Sequence, residues 1–169
     1  MNTNQRRQRI LDDLKAAQAP LSATVLAKRL SVSRQIIVGD VALLRAAGEG
    51  ITATPRGYVL DRPRTGLTRT VACLHSGADM ERELSLMVDQ GCTVENVIVE
   101  HPVYGQLTGP LELSSRYDIS EFIRKVEENG ARPLSLLTGG IHLHTLLCPD
   151  EKGFQRVVAA LEEAGFLAK

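Results

Sequence analysis

The stretch 22-SATVLAKRLSVSRQIIVGDVALLRAAGEGITATPRGYVL-60 reads as helix, turn, helix and hairpin. Ser22 can cap a helix along which Val25, Leu26 and Leu30 form an apolar stripe. The short turn 31-SVS-33 follows, and Ser33 caps the next helix, with Ile36, Ile37, Val41 and Leu44 expected to face inward. Gly48 and Gly50 end that helix. Two short strands, around Ile51–Ala53 and Gly57–Leu60, then enclose the turn Pro55-Arg56. Upstream, Ile10, Leu11 and Leu14 give residues 3–17 a helical period, stopped by Pro20. Three helices and a hairpin in this order make a winged helix-turn-helix.

That architecture predicts a DNA reader. The major groove admits one helix, and the residues at its start meet base edges. Ser33, Arg34 and Gln35 occupy that start: Arg34 can donate twice to guanine and Gln35 can pair with adenine. Free N–H groups at the same helix terminus favour a phosphate. Arg56, at the tip of the hairpin, can enter the minor groove or hold a phosphate. A protein-docking winged helix with solvated Arg34 and Gln35 is the bland alternative.

Charge supports the reader. The chain has 169 residues and a formal net charge of zero, but the zero is a sum of opposites. Residues 1–60 carry +5, residues 61–69 carry +2, and residues 70–169 carry −7. A basic front faces a polyanion, and an acidic back has another job. The Pro-, Gly- and Arg-containing stretch 61-DRPRTGLTR-69 reads as the linker between domains at 1–60 and 70–169. Aromatic residues make up only 4%, with no Trp, which argues against a stacking platform for single strands. No apolar run reaches the roughly 18 residues a membrane span needs, and the polar start MNTNQRRQRI lacks a secretory pattern. Cys73, Cys92 and Cys148 are odd in number and form no C-x-x-C. They fit reduced thiols in a cytoplasmic protein without a membrane partner.

The back half alternates strand and helix. Thr70–Leu74, Thr93–Glu100, Gln106–Leu113 and residues 133–147 read as strands, the last interrupted at Gly139-Gly140. Met80–Asp89, Asp118–Glu128 and Asp150–Ala164 read as helices. The order predicts an antiparallel sheet with helices on one face, so the chain as a whole is α+β. Apolar positions such as Leu84, Leu86, Val88, Val157, Val158 and Leu161 suit either core or an interface.

All four histidines lie in the back half. His142 and His144 are two apart on a strand and so share a face, roughly 6.6 Å apart. His75 ends the first strand of this half, and Glu83 lies one turn into the helix that follows. Three imidazoles and a carboxylate suit Zn²⁺ or Ni²⁺. H-x-H alone is a weak signal, more often satisfied or solvated than ligating. Glu83 has rivals in Asp79 and Glu81, although Glu81 points about 200° away from it around the helix. Cys73 reads as a neighbour of the site or plain core, and Cys148 lies too far along its strand. His101 stabilises a loop or, with Tyr104, donates to an effector pocket. No nucleophile–base pair, phosphate loop or dinucleotide fingerprint is present, so no enzyme is expected.

With 75-HSGADMERELSLMVDQG-91, 101-HPVYG-105, 115-SRYDISEFIRKV-126 and 138-TGGIHLHTL-146 behind the winged helix, the chain resembles the niacin-responsive repressors of NAD biosynthesis. Those proteins join a winged helix-turn-helix to a three-histidine domain. The resemblance covers nearly the whole chain. It implies a homodimer that binds operator DNA when nicotinic acid is abundant. It also implies an HPr-like back domain and one divalent metal held by His75, Glu83, His142 and His144. Two other readings stay open: a repressor for which the ion itself is the signal, and a small metallohydrolase fused to a DNA-binding domain.

Overall fold

The computed structural model describes Met1–Lys169. The chain divides into two compact units, Met1–Pro63 and Arg64–Lys169. The first contains α1 (Thr3–Ala16), α2 (Ala23–Leu30), α3 (Arg34–Ala46), β1 (Ile51–Thr54) and β2 (Gly57–Leu60). Each helix starts on a side-chain cap that takes up an orphan N–H. Asn2 and Gln5 form a reciprocal capping box at α1. The Ser22 and Ser33 hydroxyls accept from the Val25 and Ile36 amides at 3.2 and 3.3 Å. Ser31, with φ of 55°, makes the left-handed turn between α2 and α3.

Ile10, Leu11, Leu14, Leu26, Ile37, Val41 and Leu44 close the core with Ile51 from the wing. Each such side chain stabilises the unit by about 1.5–3 kcal/mol when fully buried. Two expected core positions face outward: Val25 is 39% and Ile36 42% exposed. Each sits 100° around its helix from a fully buried neighbour, Leu26 or Ile37, and the narrow stripe excludes it. Asp40, in contrast, is buried on α3, where Arg6 and Arg7 of α1 donate to its two oxygens at 2.6 and 3.1 Å. In the wing, β1 and β2 pair antiparallel, and Leu21 bridges to Tyr58 as a short third strand. Gly57 is required there: its φ is 139°, and a Cβ would lie 2.5 Å from the Leu21 carbonyl.

The second unit runs β3 (Leu67–Leu74), a 3-10 turn at Gly77–Asp79, α4 (Met80–Val88), β4 (Thr93–His101), β5 (Gly105–Leu113) and α5 (Arg116–Glu128). A 3-10 segment Leu134–Thr138, β6 (Ile141–Cys148) and α6 (Glu151–Glu163) complete it. The sheet order is β3-β6-β4-β5, all antiparallel. β3 begins inside the stretch read as linker. Residues 134–138 form a 3-10 segment where a strand was expected. Pro133 starts it and Gly139, at φ 66°, stops it, so the strand signal applies only after the glycine pair.

Side chains of one parity on each strand face the helices. Val71, Cys73, Leu146 and Cys148 meet Leu84, Met87, Val88, Ile119, Val157 and Leu161 in a single core. Leu86 and Val158 pack at its edge, so these apolar helix positions are core. The last residues double back along β3, with the Leu74 amide donating to the Phe166 carbonyl at 2.8 Å.

Candidate functional site

The register of β3 against β6 sets Cys73 opposite His142 and Val71 opposite His144, all on the helix-facing side. α4 lies against that side and aims Glu83 at the strands. The carboxylate meets three rings. Glu83 Oε2 is 2.7 Å from His75 Nε2 and 3.4 Å from His144 Nε2, and Oε1 is 3.0 Å from His142 Nε2. All four side chains are buried, at 1–4% exposure. Glu83, and neither Asp79 nor the exposed Glu81, is the carboxylate that the strands meet.

The remaining ring nitrogens fix the chemistry. His75 Nδ1 faces the Ser76 carbonyl at 2.6 Å, His142 Nδ1 the Gly140 carbonyl at 2.8 Å, and His144 Nδ1 the Asn96 carbonyl at 2.8 Å. A carbonyl can only accept, so each Nδ1 donates. In the neutral imidazole each Nε2 therefore carries a lone pair. Were all three rings neutral, three lone pairs and a carboxylate would converge with no donor among them. Such a cluster is stable only around positive charge, either protons on the rings or a cation. His75 Nε2 is buried and makes the shortest of these contacts, 2.7 Å from Glu83 Oε2. Donor type, burial and backbone-anchored rings match what a divalent transition metal requires.

The charges reflect the same crowding. Burial pushes the Glu83 carboxyl up, but hydrogen bonds from His142, His144 and His75 outweigh it and hold the group well below the usual carboxylate range. Burial lowers His75, and the hydrogen bonds to Glu83 and the Ser76 backbone, with the charges of Glu83 and Asp79, together more than reverse this. Cys73 is pushed far up by burial and by the adjacent Glu83 charge. At the far end of the sheet Cys92 Sγ lies 2.6 Å from Cys148 Sγ, and burial pushes Cys92 up to about 12.

Two supporting residues were missed in the sequence. A bulge between Val94 and Asn96 in β4 frees the Asn96 carbonyl from the ladder for His144, and the Asn96 side chain accepts from the Thr145 amide at 3.1 Å. Nothing in the sequence marks that bulge. Gly140, at φ 98°, lets its backbone approach the His75 carbonyl where a Cβ would sit at 2.7 Å, and its own carbonyl anchors His142. The pair Gly139-Gly140 was its signal.

The other sequence-derived residues lie apart from this cluster. His101 ends β4, roughly 13 Å along the strand from Val97, which pairs with His144. Its Nδ1 accepts from the Val103 and Tyr104 amides, and its ring stacks near Tyr104, which is 75% exposed. In the first unit Arg34 and Gln35 are exposed just beyond the Ser33 cap, and Arg56 is half-buried in a turn shaped by Thr54. The outward face of α3 continues through Ile36, Val38 and Leu43, each 39–52% exposed. No helix is long and apolar enough to cross a membrane.

Comparison with known proteins places both halves. Residues 6–59 match the model of an HTH domain, and residues 68–169 match that of the 3H domain. The chain is 46% identical to the transcription repressor NadR of Bacillus subtilis over 168 residues, covering 97% of this chain and 93% of that protein. It is 44% identical to the probable transcription repressor NiaR of Thermotoga maritima over 154 residues, 91% of this chain and 88% of that protein.

Proposed function

The chain belongs to the family of transcription repressors that join an HTH domain to a 3H domain, and we propose that it represses genes of NAD biosynthesis or niacin uptake, with nicotinic acid as co-repressor. It works in the cytoplasm as a homodimer on operator DNA, without enzymatic turnover. Residues 1–60 read the operator: Arg34 and Gln35 meet base edges, Ser33 holds the start of their helix, and Arg56 holds the backbone beside it. Residues 70–169 sense. His75, Glu83, His142 and His144 hold one Zn²⁺ or Ni²⁺, which supplies a fixed positive charge and an open coordination position for an anion. His101 and Tyr104 are the candidate residues for contacting the pyridine carboxylate.

The observation that carries this reading is the convergence of three ring nitrogens on Glu83, with each opposite nitrogen tied to a carbonyl. Its burial favours a second reading, in which the ion alone is the signal. One experiment separates the two. Genomic fragments retained by the protein are titrated at fixed salt, with and without chelator, against nicotinate, nicotinamide and NAD. Tightening by nicotinate of at least about tenfold, lost after chelation, supports co-repression through the metal. Tightening by Zn²⁺ or Ni²⁺ alone, with nicotinate inert, supports the second reading. Indifference to both removes the sensing role.

A further inference from the structure

Cys73 is fully buried and lies directly beside the carboxylate and rings described above. Strand alternation points it to the same side as Val71, toward α4, and the register sets it opposite His142. Its Sγ, a Glu83 oxygen and a His142 ring nitrogen all lie within 4.8 Å of one another. An ion with bonds of 2.0–2.3 Å holds neighbouring donors roughly 3–4 Å apart, so this trio needs to close by no more than about 1–2 Å. The buried Nε2 of His75, 2.7 Å from Glu83 Oε2, meets the same carboxylate. We propose that Cys73 supplies a sulfur donor to the divalent ion that Glu83 and the histidines hold.

This inference rests on the metal centre proposed above and adds to its donor set. Entry of the ion breaks the S–H bond and forms a metal–sulfur bond, and the proton leaves to solvent, with no change of oxidation state. Formally, the ion with Glu83 and neutral imidazoles carries +1, and the thiolate brings it to zero. An anionic effector is then drawn by a coordination position rather than by net charge. Sulfur also tilts selection toward Zn²⁺, Ni²⁺ or Co²⁺ and away from Mg²⁺, Ca²⁺ and Mn²⁺. No other thiol can substitute, because Cys148 lies six residues beyond His142 on β6, roughly 20 Å along the strand, and pairs with Cys92.

Cobalt makes the test direct. The full-length protein, reduced and stripped with chelator, is titrated with Co²⁺ alone. The wild type is expected to show visible d–d bands together with a near-ultraviolet sulfur-to-cobalt charge-transfer band, both saturating at one ion per chain. Cys73→Ala is expected to keep the d–d bands, lose the charge-transfer band and bind Co²⁺ at least about tenfold more weakly, with unchanged far-ultraviolet circular dichroism. A wild type that gains d–d bands without the charge-transfer band overturns the sulfur donor while leaving the metal centre standing. So does a Cys73→Ala protein that retains the band. Failure of the wild type to take up Co²⁺ or Zn²⁺ at all overturns the metal centre, and the sulfur donor with it. Should Cys73→Ala not fold, the wild-type spectrum decides alone.

Discussion

Glu83 sets the charge at the cluster because its carboxylate meets three ring nitrogens. Replacing it by Gln keeps the shape, removes the charge and offers an amide N–H to one of the rings. Glu83→Gln is therefore expected to stay folded and to bind Zn²⁺ or Ni²⁺ at least about 100-fold more weakly, as read by calorimetric titration. Full-strength binding by a folded variant would mean that the ion sits elsewhere. In the first unit, Arg34 stands alone at the start of α3 as a candidate for a bidentate base contact. Arg34→Ala is expected to cost about 1–3 kcal/mol at a specific site and far less on random DNA, as measured by gel shift. Equal losses on both would make it a phosphate contact. Single residues were legible where geometry is local: two residues on a strand place His142 and His144, and 200° of helix separates Glu81 from Glu83. Asn96 was not legible, because its hold on His144 comes from its backbone carbonyl at a bulge that no residue pattern marks.

Elements carry a different kind of information. The winged helix was legible because caps, turn and stripe all fall within 39 residues of sequence. What the pattern could not reveal is how α1 is held to α3. Asp40 carries no local signal, because its partners Arg6 and Arg7 come from 34 and 33 residues earlier. Burial raises the Asp40 pKa, and the two guanidinium groups outweigh it, so the carboxyl lies below its ordinary value in the folded chain. A carboxyl depressed on folding stabilises above its unfolded pKa, near 3.9, and loses that contribution as pH falls through the folded value. Asp40→Asn is thus expected to lower the thermal midpoint of the N-terminal unit at pH 7. The gap to wild type should close as pH falls below about 4, followed by circular dichroism. A gap independent of pH would assign the loss to packing. The 3-10 segment Leu134–Thr138 eluded the reading for a similar reason: its apolar residues fit a strand, and only the flanking Pro133 and Gly139 restrain it to a short helix.

At the scale of the whole molecule, the two units must share one free-energy balance if the second is to govern the first. A basic reader alone would bind DNA constitutively, with an affinity set largely by salt. For nicotinate to move the chain from 1:99 to 99:1 in favour of the DNA-competent state, it must prefer that state by about 5.5 kcal/mol. Such coupling is reciprocal: the factor by which nicotinate tightens operator binding must equal the factor by which operator tightens nicotinate binding. Both legs can be measured on the metal-loaded protein, one by fluorescence anisotropy of labelled operator and the other by calorimetry with nicotinate. Equal factors, both falling to one in Glu83→Gln, are the expected result. A variant that loses the metal but keeps the coupling would detach sensing from Glu83 and its histidines and move the effector site to another part of the second unit. Factors of one on both legs in the wild type would mean that the two ligands do not communicate. The charge division of the sequence, with its basic reader and acidic partner, would then describe two independent activities on a single chain.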